Sequence, residues 1–270
     1  GGITLQSGDS LAGSSGKINI KSGASVSSEA SGSVVITAGS GISQSGSMLL
    51  KGGSSLDQTG GSLMLSSGAS FNQAGGNIVM KTDISSSSGQ LHIASGDATT
   101  GASGNVDVST GSSGESGGSI VMNVGESVSA GGNIILKGGK ATESGGGEVF
   151  IQAGDGGTKG GSLELKAGSS ETSAGGKISI QSGGSATGTS GSFEVSTGGD
   201  SLSSGGISLK TGSASAGSSG TVKFLSGAST GASGEVFIGS GASDSVGGDI
   251  KVKTGDGATR QSGDFIVNTG

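Results

Sequence analysis

His92 is the only histidine in the 270-residue chain, and Asp107 follows it fifteen positions later. Brought together, a carboxylate could orient the imidazole as a general base. Such a pair also needs a pocket and an aligned nucleophile, and no pattern around His92 supplies them. The two read as an exposed pair, and the chain is not read as an enzyme. Two Gly/Asp-rich stretches, GDGGTKGG at 154–161 and GDGATR at 255–260, have the residue types of calcium turns. The calcium-roll nonapeptide needs its glycines, aspartate and apolar residue in one fixed succession. That succession is absent, so no metal is expected. The Gly-x-Gly stretches are not followed by a helix signal or by Lys-Ser/Thr, which disfavours phosphate binding. Nothing else calls for a cofactor.

Threonines at Thr37, Thr82, Thr110, Thr197, Thr211, Thr254 and Thr269 could form a flat, ice-matching row. The row is broken by Ser, Ala and Gly, so ice binding stands only as an alternative. A chain without Cys has neither a disulfide framework nor a thiolate metal site.

The elements that would carry such groups follow from one repeat. The pattern Gly-x-apolar-x-apolar-x-x-Gly begins at residues 1, 16, 32, 46, 61, 76, 89, 104, 118, 132, 147, 161, 176, 191, 205, 220, 234, 248 and 263. The positions of each repeat are called slots, counted from that first Gly. Slots three and five hold a large apolar residue in all 19 repeats, from Ile3 and Leu5 to Phe265 and Val267. Apolar residues two apart, many of them β-branched, have the period of a strand. Between them run Ser, Gly, Ala and Thr, a composition that alone would suggest a flexible linker.

This periodicity predicts an all-β fold: a β-solenoid of about 18–19 short coils of 14–15 residues, with parallel strands stacked and a flattened two-layer core. Slots three and five would form two dry ladders along the axis. Small residues of the other half, Ser25, Ser55, Ser70, Ala98, Ser127, Ala141, Ser170, Ala214 and Ser229, would face them. Gly closes each strand at slot eight, with Asp83 the exception. Both residue types tolerate positive φ, so slot eight is expected to be a left-handed corner. The absence of Pro fits unbroken pairing. Residues 1–270 are read as a single array, a piece of a longer one.

Slot four would point outward. It is apolar at Val35, Leu49, Met64 and Val79, and again at Val121, Ile135 and Phe150. Exposed apolar strips mark contact surfaces, so these seven residues are the candidate lateral contact. The partner expected there is an identical or similar solenoid. Slot six carries Lys21, Lys51, Lys81, Lys137, Lys166, Lys210 and Lys253, never in successive repeats. That placement separates like charges and keeps a face soluble. Basic residues number 14 against 20 acidic ones, with no Trp or Tyr, which excludes a nucleic-acid stripe. No stretch is apolar for long enough to span a bilayer.

The stretches SGSVVITAGS, GGNIILKGG and GGKISIQSGGSATGTSG resemble the Gly/Ser-rich short-period repeats of large secreted or surface proteins of diatoms and other algae. The resemblance covers the whole chain. It implies a β-solenoid and an extracellular or cell-surface setting, and it assigns no functional residue. The function expected is a structural component of an extracellular fibre, filament or surface layer, with rods joined by lateral apolar contacts. An ice-binding or adhesin-stalk module is the alternative.

Overall fold

The computed structural model describes residues 1–27, 29–199, 202–258 and 261–268. Thr269 lies outside them. The described residues contain no helix and no β-strand, so the expected β-solenoid, its stacked parallel strands and its two-layer core are not formed. The chain is rich in coil, with little regular structure. It divides into an N-terminal unit, Gly1–Ile134, and a C-terminal unit, Ile135–Gly270.

The repeat survives as a unit of local structure. Slots one to eight run without a bend, and one sharp bend follows near slots eleven to thirteen, as at 56–58, 71–73, 157–159 and 171–173. There is one bend per repeat where the two-layer coil needed two corners. The backbone ladder is missing for the same reason. Strands pair only when neighbouring backbones approach to about 4.8 Å. Here the recurrent backbone bond is a single one that closes the loop between successive repeats, and it does not extend into a ladder.

That bond runs from the slot-one amide back to the slot-eight carbonyl of the preceding repeat. Gly61 N donates to Gly53 O at 2.8 Å, Gly76 N to Gly68 O at 2.8 Å, and Gly176 N to Gly168 O at 2.9 Å. Equivalent bonds close the loops at 23–32, 39–46, 139–147, 154–161, 183–191 and 255–263.

Serine at slot ten supplies the other half of the loop. Ser55, Ser70, Ser170 and Ser185 each accept a hydrogen bond from the backbone amide three residues on, at 2.8–3.1 Å. Short hydroxyl side chains form such turns readily. This corrects the expected inner row of small residues. Ser25, Ser55, Ser70, Ser127, Ser170 and Ser229 are exposed turn acceptors. Ala98, Ala141 and Ala214 are exposed as well.

Loop length and the slot-ten residue vary together. In four loops whose slot eight and next slot one are eight apart, 53–61, 68–76, 168–176 and 183–191, the slot-ten Ser bonds to the amide three on and the loop closes. Where they are seven apart, Ser113, Ser127, Ser229 and Ser243 bond to the amide only two on. Among the described residues those four loops lack the closing bond. Two seven-step loops do close, 39–46 and 154–161, each at 2.9 Å. Both have Gly at slot ten. A Cβ at Gly41 would collide with the Gln44 carbonyl oxygen, and one at Gly156 with that of Lys159. The tighter loop therefore requires Gly there.

No residue among those described has positive φ, which overturns the left-handed corner expected at slot eight. A Cβ at Gly53, Gly68 or Gly168 would meet nothing within 4 Å. Slot eight is open space, and Asp83 is accommodated there with its Oδ1 accepting from the Ile84 amide at 2.8 Å. The crowded glycine is at slot one. A Cβ at Gly32 would lie 3.2 Å from Ser22 Cβ, and one at Gly176 3.3 Å from Ala167 Cβ. Slot seven is thus where the returning chain comes closest. The half-buried residues Ser7, Ser22, Gly52, Gly138, Ala153, Ala167, Ser182 and Thr254 all occupy it.

No described hydrophobic residue is buried. The accessible surface is 26866 Å², against about 10,000 Å² for a compact chain of this mass and about 36,000 Å² for a fully unfolded one.

Candidate contact surface

Exposure of the apolar side chains is graded by slot. Within a repeat, slot three is more covered than slot five in all but the first repeat and the one beginning at Gly191. Ile178, for example, is 53% exposed and Ile180 64%. The slot-four residues predicted as the contact, Val35, Leu49, Met64, Val79 and Val121 in the N-terminal unit and Ile135 and Phe150 in the C-terminal unit, exceed both neighbours. Leu49 reaches 84%. The loop tips at slot eleven go further, and Phe71 and Leu56 lie wholly in water.

One apolar cleft is formed within the C-terminal unit, with a volume of about 730 Å³. Ile207 and Leu209, slots three and five of one repeat, line it with Phe224 of the next. Val236, Phe237, Ile238 and Gly239 complete it from the third. Phe237 folds back over Gly239: a Cβ on that glycine would lie 2.7 Å from the ring's Cε1 and Cζ. Phe237 is the slot-four residue of its repeat and lies outside the seven predicted contact residues. The missed signal is at slot six. That slot carries Lys, Gln, Ser, Thr, Asn or Ala elsewhere, but Leu225 and Gly239 in two successive repeats. Leu225 is exposed beside Phe224.

The polar candidates are not brought together. His92 and Asp107 are both exposed and share no hydrogen bond among the described residues. No group of three or more His, Asp or Glu that could hold a metal occurs among those residues. In the second Gly/Asp-rich stretch, Asp256 pairs instead with Lys253 at 3.0 Å. Lys251 pairs with Asp249 at 3.1 Å. Both pairs are exposed, and such bridges contribute at most about 1 kcal/mol. The slot-seven threonines point towards the next glycine: Thr110 Cγ2 and Thr211 Cγ2 each lie 3.3 Å from where a Cβ on Gly118 or Gly220 would stand. No helix among the described residues is long and apolar enough to cross a membrane.

No protein-family model, no curated protein and no solved structure matches the chain.

Proposed function

We propose that the chain is a structural element of an extracellular fibre, filament or surface layer, in which copies are held together by apolar side chains that a single chain leaves in water. The supporting observation is the coexistence of a large apolar pair in every repeat with the absence of any buried hydrophobic residue among those described. Apolar area gains about 25 cal/mol per Å² when it leaves water. A chain that does not bury its own can gain that energy only against another surface. The contact begins at the slot-four residues, each more exposed than the slot-three and slot-five residues that flank it. Orientation of the slot-seven threonines towards glycine weighs against an ice-matching face.

Sedimentation velocity over a hundredfold concentration range tests this reading, with electron microscopy of the assembled material. The chain is expected to form large assemblies, and the Leu49→Asp/Met64→Asp/Val79→Asp variant to lose lateral bundling. A chain that stays monomeric across the whole range would overturn the proposal.

A further inference from the structure

Two aspartates of the chain are followed by glycine, Asp155 and Asp256, and both stand at slot nine with that glycine at slot ten. No asparagine precedes a glycine. Both aspartates are exposed. Their loops are closed alike, by Gly161 N on Gly154 O at 2.9 Å and by Gly263 N on Gly255 O at 3.1 Å. An Asp-Gly step has its own chemistry. The glycine has no side chain to shield its amide nitrogen, and that nitrogen can close a five-membered ring on the aspartate carboxyl.

The two steps differ in what holds them. Asp256 Oδ2 accepts from Lys253 Nζ at 3.0 Å, and Gly257 N donates to Ser262 Oγ at 3.5 Å. Both the carboxyl and the amide that could react with it are turned to other partners. Among the described residues, no hydrogen bond or ion pair engages the Asp155 carboxylate or the Gly156 amide. The 154–161 loop is also the shorter, with seven steps against eight. A Cβ at Gly156 would collide with the Lys159 carbonyl oxygen, so this loop has no slack at the reacting residue.

We infer that Asp155 is a site of spontaneous isomerisation, at which the chain rewrites its own backbone and opens the 154–161 loop. The Gly156 nitrogen attacks Cγ of the protonated Asp155 carboxyl. An N–Cγ bond forms, the Cγ–OH bond breaks, and the hydroxyl leaves with the amide hydrogen as water. The product is a cyclic succinimide. Water then adds to one of its two ring carbonyls, and the C–N bond there opens. Addition at Cγ restores aspartate. Addition at the main-chain carbonyl leaves the backbone running through Cβ and Cγ, as isoaspartate. The water lost is regained, and no oxidant, reductant or second protein takes part. Isoaspartate has one more carbon in the main chain. A loop without room for a Cβ at Gly156 has none for that added link, so Gly161 N is released from Gly154 O. This chemistry is independent of self-association.

The test holds the full chain for weeks at neutral pH. Peptide mapping with electron-transfer fragmentation then separates aspartate from isoaspartate at each Asp-Gly step, and the succinimide shows as a peptide lighter by one water. Asp155 should convert faster than Asp256 by up to about fivefold, the rate equivalent of the most that an exposed ion pair contributes. In Lys253→Ala/Ser262→Ala the rate at Asp256 should rise to that at Asp155. In concentrated urea, where the loops are lost, the two steps should convert equally fast. The Gly161 amide should exchange with solvent faster in aged chain than in fresh, and Asp155→Glu, whose ring would be larger and slower to close, should keep the fresh rate. An Asp155 that stays unconverted, an Asp256 that keeps pace with it in the native chain, or a difference that persists in urea would each refute the assignment. So would a Gly161 amide that stays protected in converted chain.

Discussion

A methyl group at Gly61 would stand 3.0 Å from the Gly53 amide nitrogen, while one at Gly53 would meet nothing within 4 Å. Both glycines belong to the same repeating pattern, and the sequence draws attention to the wrong one. Asp83 looks like a marker of left-handed backbone because Asp and Gly share that tolerance. It marks open space instead. Slot one never varies in sequence, and at Gly32, Gly61, Gly132 and Gly147 a side chain there would press on slot seven or on the slot-eight backbone. Gly61→Ala should therefore open the 53–61 loop. The Gly61 amide should exchange with solvent about fivefold faster, the equivalent of one net hydrogen bond of about 1 kcal/mol. Gly53→Ala should leave that rate unchanged. Nuclear magnetic resonance exchange on a segment of uniformly labelled chain reads both. Equal effects at the two sites would reject the assignment.

The loop is the element that this chain builds well. Its parts are visible in the sequence once slot ten is singled out, because Ser there has a backbone amide two or three residues on to bond. What pattern reading could not supply is the distinction between a Ser that stacks into a core and one that closes a turn, since both need a small polar residue at a regular interval. The structure places these Ser in the turn, each accepting from an amide two or three residues on. Two outcomes follow. Ser55→Ala and Ser70→Ala should each remove one turn hydrogen bond, with a local cost of about 0.5–1.5 kcal/mol, detected as faster exchange at the Gln58 and Gln73 amides. Gly41→Ala should break the 39–46 closure at Gly46, and insertion of one further residue into that loop should restore it. If Gly41→Ala alone leaves the Gly46 amide protected, close approach is not what holds Gly at slot ten.

For the whole molecule, the apolar periodicity was legible and its destination was not. Residues two apart state only that one side of a segment is oily. Whether that side meets its own chain depends on backbone entropy as well as on pattern, and 63 glycines raise that cost. The candidate site was legible by halves. Slot four led to Leu49 and Met64, which are exposed as every described large apolar residue is; the cleft, lined by slots three and five of successive repeats with Phe237 and Gly239, carried no signal at slot four. Because little area is hidden in the single chain, dilute samples should show no cooperative melting. Their urea dependence should fall well below the roughly 1–3 kcal/mol/M of small globular domains. Far-ultraviolet circular dichroism with urea titration checks this at concentrations below assembly. A sharp two-state transition there would contradict a surface of 26866 Å².

The closed loops also bear on how the material would respond to pulling. Each has a mouth held by an amide-to-carbonyl bond, such as that between Gly76 and Gly68 at 2.8 Å, to which the 23–32 loop adds a bond from the Ser22 hydroxyl to the Gly32 carbonyl at 2.7 Å. Tension applied along the backbone falls on that bond, because no ladder of further backbone bonds shares it. Breaking it releases a slack of about 25 Å, the contour of some eight residues at about 3.5 Å each less the width of the mouth. The loops yield one at a time and re-form once the load is gone, so a strand of this composition would stretch many times before any junction between copies had to give.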